Sequence, residues 1–226
     1  MPRPEIRRFA DRSALARGAA EDLVGSIQRA ITEKGSCRIA LAGGSTPRPV
    51  YRLLVEPELA GRIDWQRIQV FWGDERCVPP TDEASNYRMV DDELLAKVPI
   101  PQTNVHRIAG ELAPREAARA YEMTLGDEPL DLVLLGMGND GHTASLFPDT
   151  PGLGGHPERV IRTISPVSPV DRVSLTLRSI NEAGTVRFWV AGAAKTDRLA
   201  EVFRQIDIGS PRLPAARVQP HRGHLC

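Results

Sequence analysis

The feature that most constrains the fold is an alternation of short apolar runs with segments of helical period. The runs CRIALA at 37–42, IQVFW at 68–72 and DLVLL at 131–135 are almost continuously apolar, which is typical of strands buried on both faces. Further strands are predicted at residues 105–108, 160–164, 173–177 and 186–191. Because helical patterns separate these runs, the sequence predicts a single doubly wound α/β domain over residues 1–226. Its sheet is expected to be mainly parallel, with helices on both faces.

The helices are predicted from apolar residues that recur every three or four positions. The first has Ser13 as its N-cap, apolar positions from Leu15 to Ile31, and Gly35 after its last turn; these are common start and stop signals. The other helices are predicted at residues 47–54, 86–95, 115–125 and 195–205. No internal repeat or low-complexity linker interrupts the pattern.

Charge and cysteine content indicate which binding partners and which cellular compartment to expect. Lys+Arg and Asp+Glu both number 29, so no whole-molecule field attracts nucleic acid or an anionic membrane. Cys37, Cys77 and Cys226 are scattered, without zinc-ligand spacing or the even number of a disulfide framework. No apolar run resembles a signal peptide or a membrane span. We therefore expect a cytoplasmic protein that recognises any bound anion through a local site.

Four predicted strands end in loops that carry reactive or polar side chains. These loops are residues 43–46 (GGST), 74–76 (DER), 136–142 (GMGNDGH) and 192–195 (GAAK). In doubly wound sheets, ligands bind outside the carboxyl ends of the strands. The coincidence of four such loops at one edge of the sheet predicts a single site there.

The first loop is suited to an anion such as phosphate. Gly43 and Gly44 allow close backbone approach, Ser45 and Thr46 offer hydroxyls, and the helix that follows presents free N–H groups. A plain strand–turn–helix connection with Ser or Thr as N-cap explains the same residues. The P-loop pattern GxxxxGK[ST] is absent.

The second and fourth loops carry charged side chains, but they indicate a function less specifically than the first and third. Asp74 or Glu75 is a candidate for proton transfer, and Arg76 for holding phosphate or a developing oxyanion. A solvated Glu–Arg pair is the alternative. Lys195 begins a predicted helix, where it either meets a phosphate as a point charge or lies on the surface.

The third loop carries the candidate base. Its glycines satisfy GxGxxG after a strand, but Asp140 lies inside the turn, where a carboxylate would face pyrophosphate, and no acidic residue follows about twenty positions later. A dinucleotide site is therefore disfavoured. His142 lies in the same turn, and an imidazole with an ordinary pKa near ~6.5 is suited to activating water at neutral pH. A packing or capping histidine is the alternative.

At these loops the sequence closely resembles the 6-phosphogluconolactonases, within the larger family that includes glucosamine-6-phosphate deaminases. The resemblance extends in order along nearly the whole chain, through LAGGSTPRPVY, VFWGDERCVPPTDEASNYRM, NVHRI, LDLVLLGMGNDGHTASLFPDT, RVSLTL and AGAAK. It implies a Rossmann-like fold and hydrolysis of 6-phospho-D-glucono-1,5-lactone to 6-phosphogluconate, in the oxidative pentose phosphate pathway. It implies no cofactor and no metal, and we expect a monomer.

The resemblance also implies roles for individual residues. His142 would activate water, and Asp140 would orient it or hold sugar hydroxyls. Arg76 would lie near the reacting carbonyl or the phosphate. Residues 43–46 and Lys195 would contact the phosphate, with Asp74 and Arg172 as further substrate contacts.

Two departures from the family pattern stand out, and two other functions remain open. SPVSPVD at 165–171 lacks a lysine that relatives commonly carry, and the chain ends inside a VxPxxGxL-like motif, so part of a C-terminal helix is expected to be missing. A glucosamine-6-phosphate deaminase is disfavoured because TASLFPD follows His142, where deaminases tend to continue differently and reach Asn-Glu-Pro. A sugar-phosphate-sensing domain is disfavoured because no DNA-binding segment precedes the first strand.

Overall fold

The computed structural model describes residues 4–220 and 224–225. Seven α-helices are present in these ranges: α1 (Arg12–Lys34), α2 (Pro47–Leu54), α3 (Pro57–Ala60), α4 (Asn86–Glu93), α5 (Pro114–Leu125), α6 (Leu177–Asn181) and α7 (Thr196–Asp207). The eight strands are β1 (Cys37–Leu41), β2 (Ile68–Trp72), β3 (Asp74–Arg76), β4 (Leu132–Leu135), β5 (Val160–Ile164), β6 (Asp171–Leu175), β7 (Thr185–Phe188) and β8 (His224–Leu225).

The main sheet is parallel and is flanked by helices, as the alternating pattern predicts. Its strand order is β2-β1-β4-β7-β8, and every pairing in it is parallel. Strand β4 is central and all four of its residues are buried, which explains the unbroken apolar run that predicted it. None of the helices in the described ranges is long and apolar enough to span a membrane.

A second, antiparallel sheet was not expected. Strands β3, β6 and β5 form it in that order. Strand β5 buries only alternate side chains over its last three residues, because a sheet of this kind covers one face and leaves the other to solvent. Residues 74–76, predicted as a loop, are therefore a short strand.

Two local predictions are wrong. Asp11, not Ser13, is the N-cap of α1, since its Oδ1 accepts a hydrogen bond from the Ala14 N–H at 2.8 Å. Residues 105–108 form no strand. Val105 makes one isolated parallel bridge to Val70, in which the His106 N–H donates to the Val70 carbonyl.

The predicted end of α1 is confirmed. Gly35 ends α1 with a φ of 82°, in the left-handed region that favours glycine. Cys37 and Cys77 are free thiols, and Cys226 lies outside the described residues.

Two buried tyrosines fix the carboxyl ends of β1 and β2. The Tyr51 hydroxyl accepts a hydrogen bond from the Ala42 N–H and donates one to the Ala42 carbonyl. The Tyr121 hydroxyl does the same with Trp72. Burial raises the pKa of both phenols, so they remain neutral donors. Each tyrosine thus satisfies backbone groups where a strand stops, which keeps residues 43–46 and 74–76 in place.

Candidate active site

The four strand-end loops meet at one cleft, as the sequence predicts. The cleft has a volume of about 430 Å³ and opens at the carboxyl ends of the parallel strands. The predicted site residues that line it are Gly43, Gly44, Ser45, Thr46, Asp74, Arg76, His142, Arg172 and Lys195. Asp140 does not line the cleft; it borders a separate hollow of about 620 Å³ beyond Phe147.

The 43–46 loop needs both of its glycines. Gly44 has a φ of 101°, which strains any other residue. A Cβ on Gly43 would lie 1.8 Å from Oδ1 of Asn86, so the asparagine occupies the space that a side chain would need. Thr46 occupies the N-cap position of α2 without the side-chain hydrogen bond of a Ser/Thr cap. Pro47 and Pro49 carry no N–H, so the first turn of α2 offers few free donors.

Glu75 has a structural role and not a role in the cleft. Its side chain is 2% exposed. Its carboxylate accepts hydrogen bonds from the backbone N–H groups of Arg76, Asn86 and Tyr87, at 2.7–2.8 Å, and from the Ser85 hydroxyl. Burial raises its pKa, and the backbone hydrogen bonds oppose that rise. Glu75 therefore anchors α4 to β3.

Asp74 is the carboxylate of this loop that faces the cleft. Its Oδ2 accepts a hydrogen bond of 2.5 Å from the Ser145 hydroxyl. Its backbone carbonyl accepts one from the Asn86 side chain at 2.9 Å. Ser145 and Asn86 also line the cleft, although sequence reasoning missed both. The signal was present in ThrAlaSer after His142 and in SerAsnTyr at 85–87.

Arg76 and Arg172 are neighbours across the β3–β6 pair, where they are directly opposite in register. Neither forms an ion pair with a carboxylate in the described part of the chain. The guanidinium of Arg76 donates to the Ala84 carbonyl, and that of Arg172 to the Pro169 carbonyl at 2.8 Å. Burial and the adjacent Arg76 lower the pKa of Arg172. The carboxylates of Asp74 and Glu75 offset part of this shift. Two adjacent cations without a direct ion pair still favour an anion in the cleft.

His142 has the geometry of an oriented base. Its Nδ1 lies 2.6 Å from Asp140 Oδ1, and its ring packs 4.7 Å from the Phe147 ring centre. Burial raises the pKa of Asp140, but hydrogen bonds from His142 and the imidazole charge lower it to a net value below its usual range. An ionised carboxylate only accepts, so this contact selects the tautomer with the proton on Nδ1 and leaves Nε2 as the basic nitrogen. The interpretation of His142 as a packing or capping residue is thus less consistent with the structure.

Two glycines of the GxGxxG pattern shape the turn that carries this histidine. A Cβ on Gly138 would lie 2.1 Å from Nδ1 of His142, and Gly141 has a φ of 86°. The pattern therefore reflects close packing of the imidazole against the turn. Across residues 4–220 and 224–225, no group of three or more His, Cys, Asp or Glu side chains is arranged to hold a metal ion.

Comparison with known proteins places the chain in a family. The model of the family described as glucosamine-6-phosphate isomerases/6-phosphogluconolactonase matches residues 10–226. The chain belongs to this family.

Related proteins and solved structures match this chain over most of its length. The 6-phosphogluconolactonase of Synechocystis sp. is 38% identical, over 96% of this chain and 92% of the relative. That of Treponema pallidum is 39% identical, over 83% of this chain and 80% of the relative. The structure of 6-phosphogluconolactonase from Thermotoga maritima has a TM-score of 0.82 at 32% identity, covering 93% of each chain. A monomeric glucosamine-6-phosphate deaminase, 20% identical with a TM-score of 0.79, shares the fold.

Proposed function

We propose that this protein hydrolyses 6-phospho-D-glucono-1,5-lactone to 6-phosphogluconate in the oxidative pentose phosphate pathway. The observation that carries the proposal is that His142, held by Asp140 through Nδ1, lines a cleft that is rich in cations. Four family relatives with 36–40% identity are named 6-phosphogluconolactonases. An oriented imidazole beside several cationic side chains suits general-base attack of water on a carbonyl.

The proposed reaction begins with proton transfer to His142. Nε2 takes a proton from water as the oxygen attacks C1 of the lactone, and the carbonyl oxygen becomes an oxyanion. Arg76 stabilises that charge. The intermediate then collapses, the C1–O5 bond breaks, and the imidazolium returns its proton to O5. The new carboxylic acid ionises and releases one proton to solvent.

The remaining cleft residues are proposed to bind the substrate. The phosphate would bind to the N–H groups of residues 43–46 and to Lys195, with Arg172 as a further cation. Asp74, whose carboxylate faces the cleft, would accept hydrogen bonds from sugar hydroxyls. We also propose that the protein acts as a cytoplasmic monomer, without a cofactor.

The decisive experiment separates the lactonase from a deaminase and from a sensor. Purified protein is mixed with freshly prepared lactone, and acid release is followed at constant pH after subtraction of spontaneous hydrolysis. A parallel reaction with glucosamine 6-phosphate is assayed for ammonia. Acid release that His142→Asn abolishes supports the proposal. Ammonia release, or binding without turnover of either compound, would contradict it.

A further inference from the structure

One cation of the cleft has no assigned role. Arg12 lines the cleft together with the 43–46 loop and Lys195. It is the first residue of α1, about 180 positions before Lys195 in the chain, and no local motif marks it.

The structure brings Arg12 to the turn that carries Lys195. A Cβ on Gly192 would lie 3.2 Å from Nη2 of Arg12, so the guanidinium rests against the glycine backbone. Gly192 also has a φ of 104°, and its carbonyl accepts a hydrogen bond from the Lys195 N–H. The short 3₁₀ turn Ala193–Lys195 therefore connects the two cations. Arg12 and Lys195 approach the same corner of the cleft from different elements.

The surroundings of Arg12 leave its charge uncompensated. Over residues 4–220 and 224–225, its guanidinium forms neither a hydrogen bond nor an ion pair. The neighbouring Asp11 carboxylate is engaged with the Ala14 N–H as the helix cap. A cation in the first turn is also unfavourable, because the helix dipole is positive there. Within the described residues no protein group pairs with this guanidinium, so it is available to an anion bound in the cleft.

We propose that Arg12 is a phosphate-binding residue, which acts beside Lys195 at the corner of the cleft that also holds the 43–46 loop. The inference rests on the proposed function and names a specificity residue of the same cleft. A phosphate monoester carries a charge of about −1.5 to −2 at neutral pH, so a second cation beside Lys195 strengthens its binding, in addition to Arg172, which also lines the cleft. The Arg12 guanidinium binds two phosphate oxygens at once and selects the phosphorylated lactone over the unphosphorylated one.

The test compares two lactones and three variants. Arg12→Ala should lower kcat/KM for the phosphorylated lactone roughly ten- to hundredfold, mainly through KM, because the contact exists in ground state and transition state alike. Turnover of unphosphorylated gluconolactone should change by less than about twofold. Arg12→Lys should recover part of the loss, since it keeps the charge but not the two-pronged geometry. Arg17→Ala, an exposed arginine of the same helix that does not line the cleft, is the matched control.

A second readout does not depend on catalysis. Calorimetric binding of 6-phosphogluconate should weaken by a similar factor in Arg12→Ala and remain unchanged in Arg17→Ala. The thermal midpoint should stay equal or rise slightly, because a cation leaves the helix start. If the wild type turns over the phosphorylated lactone and Arg12→Ala matches it in KM and in product binding, the inference about Arg12 is wrong and the proposed function stands. Equal losses on both lactones also overturn it. Absence of turnover in the wild type contradicts the proposed function instead.

Discussion

The contact between Asp140 and His142 gives a graded prediction for the proposed base. One oxygen, Oδ1 of Asp140, accepts from both Nδ1 of His142 at 2.6 Å and its backbone N–H at 3.1 Å. Asparagine keeps both hydrogen bonds through its amide oxygen. Asp140→Asn therefore removes the charge and preserves the orientation of the imidazole, whereas Asp140→Ala removes both.

The expected losses follow from these contacts. A hydrogen bond to a charged partner contributes about 1.5–3 kcal/mol and a neutral one about 0.5–1.5 kcal/mol. The difference, about 1–1.5 kcal/mol, is roughly five- to fifteenfold in rate. The Asp140 side chain is 43% exposed, so water screens its charge. We therefore expect Asp140→Asn to lower the rate by about fivefold, the lower end of this range. Asp140→Ala should lose about 10²–10³, approaching the 10²–10⁴ expected for loss of the base in His142→Asn.

The assay measures kcat and KM separately on the phosphorylated lactone, by acid release at constant pH. KM should stay within about twofold in both Asp140 variants, because Asp140 does not line the cleft. Asp149→Asn is the matched control. It removes an exposed carboxylate of the same loop, and its φ of 56° is tolerated by asparagine. The reasoning is refuted if Asp140→Asn loses as much as His142→Asn, if Asp140→Ala loses less than threefold, or if KM alone rises.

Three further predictions test the phosphate, the absence of a metal and the support of the cleft. Lys195→Ala should raise KM and lower kcat/KM roughly ten- to hundredfold on the phosphorylated lactone only; equal losses on gluconolactone would place Lys195 elsewhere, and the exposed Lys97→Ala serves as control. Exhaustive chelation should leave turnover unchanged, because no metal-ligand cluster is present in the described ranges; loss that zinc restores would contradict this. Glu93 joins α4 to Arg48 and Arg52 of α2 at 2.7–2.8 Å, and since both arginines are about half exposed, Glu93→Gln should destabilise the protein by about 1 kcal/mol, or roughly 2–4 °C in the thermal midpoint at pH 7. The hydrogen bond with Arg52 is the largest cause that lowers the pKa of Glu93 below 4.5, so this stabilisation is present above that pH and is lost as the pH falls through the folded-state pKa. A difference between wild type and variant that grows on acidification would contradict the assignment.

The sequence predicted much of the site because parallel strands end at a common edge. Once CRIALA, IQVFW, DLVLL and the run at 186–191 were assigned as strands of one parallel sheet, the residues that follow them were expected to lie at the same edge of that sheet. Gly43, Asp74, His142 and Lys195 do line one cleft. Local periodicity also gave α2 its bounds, Pro47–Leu54.

The sequence by itself therefore determined which residues follow the parallel strands at their carboxyl ends. It could do so because a strand and the loop after it are specified by patterns only a few residues long. Tertiary structure decided the rest. It paired Arg172 with Arg76 through antiparallel register, placed Asp140 behind Phe147 rather than in the cleft, and made Glu75 an anchor. It also brought Arg12 to Gly192 across about 180 residues. Such contacts depend on how separate elements pack, and a helix start or a carboxylate has the same local pattern whether it faces solvent, a partner strand or a substrate.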